Sequence, residues 1–112
     1  MRASPRRGDV FWVKSDPARG TEVRKTRPAV IVSNDSCNEY GTRVIALPVT
    51  SNVESLYPGE ALIKIQCRAA RVLGDRMRSL DKSRLGSRIG SLSPAELSAV
   101  EEAVLITLGL QP

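Results

Sequence analysis

Histidine is missing from all 112 residues of the chain. That gap removes Ser-His-Asp and Cys-His triads, histidine zinc sites and the two-histidine route to RNA cleavage. No glycine-rich phosphate loop of the GxxxxGK[ST] kind is present. Apart from the adjacent Glu101 and Glu102, carboxylates are scattered singly, so a two-metal phosphodiesterase has nothing to hold its ions with. An enzyme built on this sequence has to work with Arg, Thr, Ser, Asp and Glu. Cysteine is scarce: Cys37 and Cys67 lie thirty residues apart without metal-ligand spacing. A disulfide scaffold of this length needs more of them, so reduced, incidental thiols are expected. There is no 18-residue apolar run to span a membrane. MRASPRRGDV is basic but lacks the apolar core of a signal peptide. The expectation is one soluble, cytoplasmic domain over residues 1–112, long enough to bury roughly two-thirds of its unfolded surface.

Basic charge is what the sequence does have. The net charge is +5, and residues 64–88 hold Lys64, Arg68, Arg71, Arg76, Arg78, Lys82, Arg84 and Arg88 against only Asp75 and Asp81. Residues 19–27 hold four more basic side chains against Glu22. Two such blocks on one small domain suit a polyanion, because each phosphate neutralised releases counterions. They also suit an acidic protein segment, and composition does not choose between the two.

Periodicity gives the elements. Asp9–Lys14 (DVFWVK) is short, β-branched and aromatic, and reads as a strand. Pro28–Ser33 reads as a second, ending in Asn34-Asp35, so that Arg27 is the last residue of a basic loop. Pro28 fixes its own φ and pushes Arg27 into extended backbone. Arg43–Thr50 is a third strand, with Pro48 predicting an edge or a bulge near its end. Pro58-Gly59 makes a turn before Glu60–Gln66, which alternates. Residues 72–79 and 88–92 are two further strand candidates. Ser79–Leu85 reads as one or two helical turns with Gly86 as its C-cap. Ser93-Pro94-Ala95-Glu96 is a capping box with proline at the first helical position, and Leu97, Val100, Val104 and Leu108 follow on one helical face. Short strands and one terminal amphipathic helix predict a small, partly open β-barrel closed by that helix.

RNA supplies a nucleophile that such a sequence lacks. Its 2′-hydroxyl attacks the adjacent phosphate, leaving a 2′,3′-cyclic phosphate and a free 5′-hydroxyl. The protein must take a proton, steady the phosphorane charge and help the leaving oxygen. Arginine suits the second task as a planar, always-charged, bidentate donor. A hydroxyl such as that of Thr50 adds a hydrogen bond. The base has to be a carboxylate, since a guanidinium is too weak a base for the work.

The segments RGDVFWV, DPARGTE, RPAVIVSND, PVTSN, YPGE, DRMRSLDKSRLG, IGSLSPAEL and LGL occur in that order. Together they resemble the MazF/PemK family of toxin endoribonucleases across nearly the whole chain. The resemblance implies an SH3-like barrel of the plasmid-maintenance toxin type and a homodimer. It also implies metal-independent, cofactor-free cleavage of single-stranded RNA at short sequences, inhibiting translation and growth, and neutralisation by an acidic antitoxin. The family's essential arginine falls on Arg27 and its essential threonine on Thr50. Its Ser-Glu pair becomes Thr21-Glu22, which keeps a hydroxyl and gives Glu22 as a candidate base. Its Asp-Gln-Ile-Arg-Thr becomes Asp75-Arg76-Met77-Arg78-Ser79. Where some members carry an arginine acid two residues before that aspartate, this chain has Leu73. Candidate RNA contacts are Thr21, Arg24, Lys25, Ser51, Asn52, Arg76 and Arg78.

Plainer roles stand beside these. Glu22 fits a surface carboxylate as well as a base or substrate-positioning group. Asp75 fits a structural ion pair as well as a catalytic carboxylate, and Trp12 fits the core or a dimer interface. Two other functions remain open: a gyrase-poisoning toxin on the same fold, and a non-catalytic RNA-binding module. Incubation with RNA in EDTA separates all three.

Overall fold

The computed structural model describes residues 4–14 and 26–110. Seven strands and two helices follow one another as β1 (Asp9–Lys14), β2 (Thr26–Ile31), α1 (Asp35–Tyr40), β3 (Arg43–Thr50), β4 (Glu60–Ile65), β5 (Arg68–Leu73), β6 (Arg78–Asp81), β7 (Leu85–Ser91) and α2 (Pro94–Leu108). The strands form one antiparallel sheet in the order β4-β5-β3-β2-β1-β7, with β6 also paired to β3. The sheet curls into the expected partly open barrel, a half-barrel with a C-terminal helix. Among the described residues no helix is long and apolar enough to cross a membrane.

Two apolar clusters explain why β2 and β3 carry nearly unbroken apolar runs. Val30 of β2 and Leu47 and Val49 of β3 pack into a main core with Val10, Ile63 and Val72, joined by Val100 and Ala103 of α2. Their neighbours Ala29 and Ile31, with Val44, Ala46 and Leu80, form a smaller cluster of their own. Successive side chains of a strand point to opposite faces, so a strand buried on both faces must be apolar at every position.

Several elements differ from the sequence expectation. β2 begins at Thr26, so Arg27 lies inside a strand, paired with Val13, rather than in a loop. β3 is a central strand and not an edge. Pro48 instead falls where the neighbour of β3 changes from β6, last paired at Ala46, to β5, first paired at Val49. A residue without an N–H is tolerated where one ladder stops and another starts. The run 72–79 is broken by a 3-10 turn at Gly74–Arg76. Gly74 approaches so closely that a Cβ would lie 2.2 Å from the Gly59 carbonyl oxygen, to which its own N–H donates at 2.9 Å. The helical turns expected over Ser79–Leu85 reduce to a 3-10 turn at Lys82–Arg84, between β6 and a longer β7. Gly86 is therefore a strand residue, lying tight against the Trp12 backbone, and not a C-cap.

Asn34 and Asp35 do not merely end β2. Asn34 caps α1 by accepting the Cys37 N–H, and the fully buried Asn38 donates to the Ser33 carbonyl at 2.9 Å. Ser33 Oγ in turn accepts the Ile45 N–H at 3.0 Å, which ties α1 to β3. α2 has the full capping box and ends on the left-handed Gly109. Its buried residues are Val100 and Ala103, while Leu108, expected on the packed face, is 53% exposed. Glu96 does more than cap. Its other oxygen accepts the Lys64 N–H of edge strand β4 at 2.7 Å, clasping helix to sheet. Burial pushes its carboxyl pKa up, but the Ser93 and Lys64 hydrogen bonds and the Lys64 charge outweigh that and hold it below the ordinary value. Both cysteines are free and exposed.

Candidate functional site

Arg27 and Thr50 come together through strand register. β2 and β3 pair Ala29 with Pro48, Val30 with Leu47 and Ile31 with Ala46. Arg27 and Thr50 lie two residues beyond the Ala29–Pro48 pair, one on each strand, and so at the same end of the β2–β3 ladder. Both line the same hollow, with Trp12, Ser51, Gln66 and Arg68 on its walls. Arg27 is exposed, and among the described residues it has no acidic partner. Among the described residues none of its five donors has a hydrogen-bond acceptor. Pro28 beside it pairs with Trp12 and holds the extended backbone that aims it.

The hydroxyl of Thr50 is oriented by the chain that follows. Its Oγ1 accepts the Asn52 N–H at 3.2 Å, and the Asn52 side chain accepts the Glu54 N–H at 3.0 Å. With a lone pair taken by the backbone, the Thr50 O–H is left to donate. Ser51 and Asn52 are exposed at the rim. On the other side Thr50 pairs directly with Arg71. That guanidinium donates to the Ser55 carbonyl at 2.6 Å and lies 3.4 Å from Glu60. Glu60 also accepts the Tyr57 N–H at 3.0 Å, so the two side chains brace the segment between β3 and β4.

The basic block at 64–88 divides into two kinds of residue. Arg71 is engaged as above, Lys82 donates to the Glu39 carbonyl, and Arg84 donates twice to the Lys14 carbonyl. Arg88 reaches the buried Asp9 and Ser91. Arg68, Arg76 and Arg78 have no such bond among the described residues. Arg78 lines a second hollow, which it shares with Lys14, Arg27, Pro28 and an apolar floor of Ala46 and Leu80. Arg27 and Pro28 thus border both hollows.

Asp75 and Arg76 lie on the 3-10 turn after β5, which packs towards α2, and both are exposed. The hollow with Thr50 takes its β5 wall from the opposite end of that strand, at Arg68–Ala70. Thr21, Glu22, Arg24 and Lys25 lie outside the described residues. Trp12, Gln66 and Arg68 are not marked out for the site by sequence. Their signal is tertiary: β1 borders β2, and the β4–β5 hairpin borders β3.

The comparisons with known proteins agree with one another. A family model described as PemK-like, MazF-like toxin of type II toxin-antitoxin system matches residues 6–108. Endoribonuclease MazF9 of Mycobacterium tuberculosis (strain ATCC 25618 / H37Rv) is 38% identical over 117 residues, spanning 94% of this chain and 97% of that protein. A MazE-MazF crystal structure (Form-II) from Deinococcus radiodurans superposes with a TM-score of 0.82 at 29% identity, covering 96% of this chain and 97% of that one. An endoribonuclease in complex with its cognate antitoxin, from a mycobacterial species, gives 0.79 at 27% identity, covering 96% and 98%.

Proposed function

The chain belongs to the PemK-like, MazF-like toxin family of type II toxin-antitoxin systems, and from that premise we propose that Arg27 and Thr50 form the centre of its ribonuclease site. It is an endoribonuclease toxin with an antitoxin as partner. The substrate is single-stranded RNA, cut by its own 2′-hydroxyl to a 2′,3′-cyclic phosphate and a 5′-hydroxyl. The observation that carries the reading is the one hollow that Arg27 and Thr50 line together, an arginine with no acidic partner among the described residues beside an oriented threonine hydroxyl.

Each group has a task there. Arg27 offers two parallel N–H donors to the non-bridging phosphate oxygens, and binds them more tightly as the phosphorane gathers charge. Thr50 donates its O–H to the same phosphate. A carboxylate takes the 2′-hydroxyl proton, and Glu22 is the candidate base, while Asp75 sits at the end of β5 away from the hollow. Arg78 and Arg68 hold flanking phosphates by charge. The exposed Leu105, Ile106, Leu108 and Leu110 of the C-terminal segment give an apolar surface for a second copy, in keeping with a homodimer. The toxin acts in the cytoplasm as one domain, where an acidic antitoxin tail competes with RNA for the basic groove.

The test is direct. Purified protein with single-stranded RNA in excess EDTA should yield cyclic or 3′-phosphate and 5′-hydroxyl ends. An oligonucleotide with one deoxyribose at the cleavage position should bind and stay whole. Free 3′-hydroxyl ends at the cut would overturn the 2′-hydroxyl route.

A further inference from the structure

The tip of the β4–β5 hairpin is made of residues ill suited to its turn. Ile65 and Arg68 are the last paired residues, so Gln66 and Cys67 alone make the reversal. Both take positive φ, 51° and 67°. A two-residue hairpin needs this left-handed backbone, and Asn-Gly or Gly-Gly supplies it at least cost. Here two side chains that are rare in that conformation hold the turn. The first of them, Gln66, is exposed and borders the hollow of Arg27 and Thr50. Its amide makes no hydrogen bond among the described residues.

We propose that Gln66 reads one base of the RNA beside the cut. The inference rests on the ribonuclease reading above and adds the residue that selects sequence. A carboxamide presents a donor and an acceptor side by side, which matches the paired donor and acceptor on an unstacked base edge. Arginine at this point would bind phosphate whatever the sequence; an uncharged amide gains little from phosphate and much from a base. The tight turn fixes the backbone, so the side chain projects from a rigid support. From the row holding Thr50 and Arg71 to the tip at Arg68 is three residues, about 10 Å along a strand. The base in reach therefore belongs to a nucleotide next to the scissile one.

The experiment uses a pool of single-stranded RNA randomised over a short window, cut by the purified full chain, with the product 5′ ends sequenced. Gln66→Ala and Gln66→Gly should each lose at least 10-fold of the preference at one position flanking the cut, leaving the other positions as they were. Gly relieves the strained φ while deleting the amide, so agreement between the two variants assigns the change to the side chain. Gln66→Glu, an acceptor only, should move that position towards guanine, whose N1–H and N2–H2 face a carboxylate. Unaltered preferences in all three variants overturn the inference, as does an equal loss at every position, which would mean that the turn serves the fold alone. If the parent chain cuts no RNA in the pool, the ribonuclease reading falls first and the inference falls with it.

Discussion

Arg71 stands directly opposite Thr50 in the β3–β5 ladder, and its guanidinium grips the Ser55 carbonyl at 2.6 Å. The side chain is 14% exposed and its partner Glu60 12%, while Arg71 Nε is buried without a hydrogen-bond partner among the described residues. Such a group carries an incomplete set of bonds, and the ones it makes secure the segment that begins with Ser51 and Asn52. Arg71→Met, which keeps the apolar stem, should lower stability by about 2 kcal/mol, the scale of a hydrogen bond to a charged group. It should also speed hydrogen exchange over residues 51–59. Arg71→Lys should recover part of the stability, and a melting series of the three proteins checks both statements.

Arg27→Ala should reduce cleavage at least 100-fold, about 3 kcal/mol for one preorganised donor at the transition state. Because Arg27 is exposed and unpaired among the described residues, the melting temperature should hardly move. Arg27→Lys should rescue little, since an ammonium cannot make the bidentate contact. Near-normal cleavage by the alanine variant would remove Arg27 from the site.

Thr50→Ser and Thr50→Val separate the hydroxyl from the strand residue. Serine keeps both the donor and the acceptor for the Asn52 N–H. Valine keeps the shape and loses both. Single-turnover cleavage should stay within a few-fold of the parent for serine and fall at least 10-fold for valine, a donor to a charged phosphate being worth about 1.5–3 kcal/mol. Equal rates would make Thr50 a strand residue and nothing more.

The division of the basic block gives a test by salt. Arg78→Ala and Arg76→Ala should each flatten the dependence of RNA affinity on salt, by roughly 0.7 for every phosphate of a single strand that is no longer neutralised. Arg84→Ala and Arg88→Ala, which break bonds to Lys14 and to Asp9 and Ser91, should instead lower the melting temperature and leave the slope alone. Binding titrations at three ionic strengths distinguish the groups.

Glu96 makes stability depend on pH. Its folded pKa lies below its ordinary 4.5, so its contribution is complete above the unfolded value and is lost as pH falls through the folded one. Glu96→Gln should remove part of the acid limb of the melting curve and cost about 1 kcal/mol near neutrality through a weakened cap. An acid limb identical to the parent's would place the titration elsewhere.

How much of this the sequence discloses depends on whether a residue's partners are local. β1 and β3 read correctly to the residue, because apolar character and turn residues mark their ends. The capping box of α2 is local chemistry and equally plain. α1 escapes because it has six residues, carries little apolar pattern and is held by a buried asparagine. The β4–β5 turn escapes because Gln-Cys has none of the residues that announce a hairpin. Arg27 and Thr50 are identifiable one by one, but their meeting at one hollow is a property of the folded sheet, which no short window contains. The same holds for Arg71, whose partners lie 16 and 11 residues away.

Arg27 belongs to an inner strand, flanked by β1 and β3 and followed within four residues by the wholly buried Val30 and Ile31. Inner strands of a sheet open at free energies close to that of global unfolding. If Arg27 carries the cleavage proposed for it, heat or denaturant should abolish cutting and folded structure at one midpoint. While that sheet stays folded its arginine stays set, and a molecule laid over the hollow can restrain it without unfolding anything.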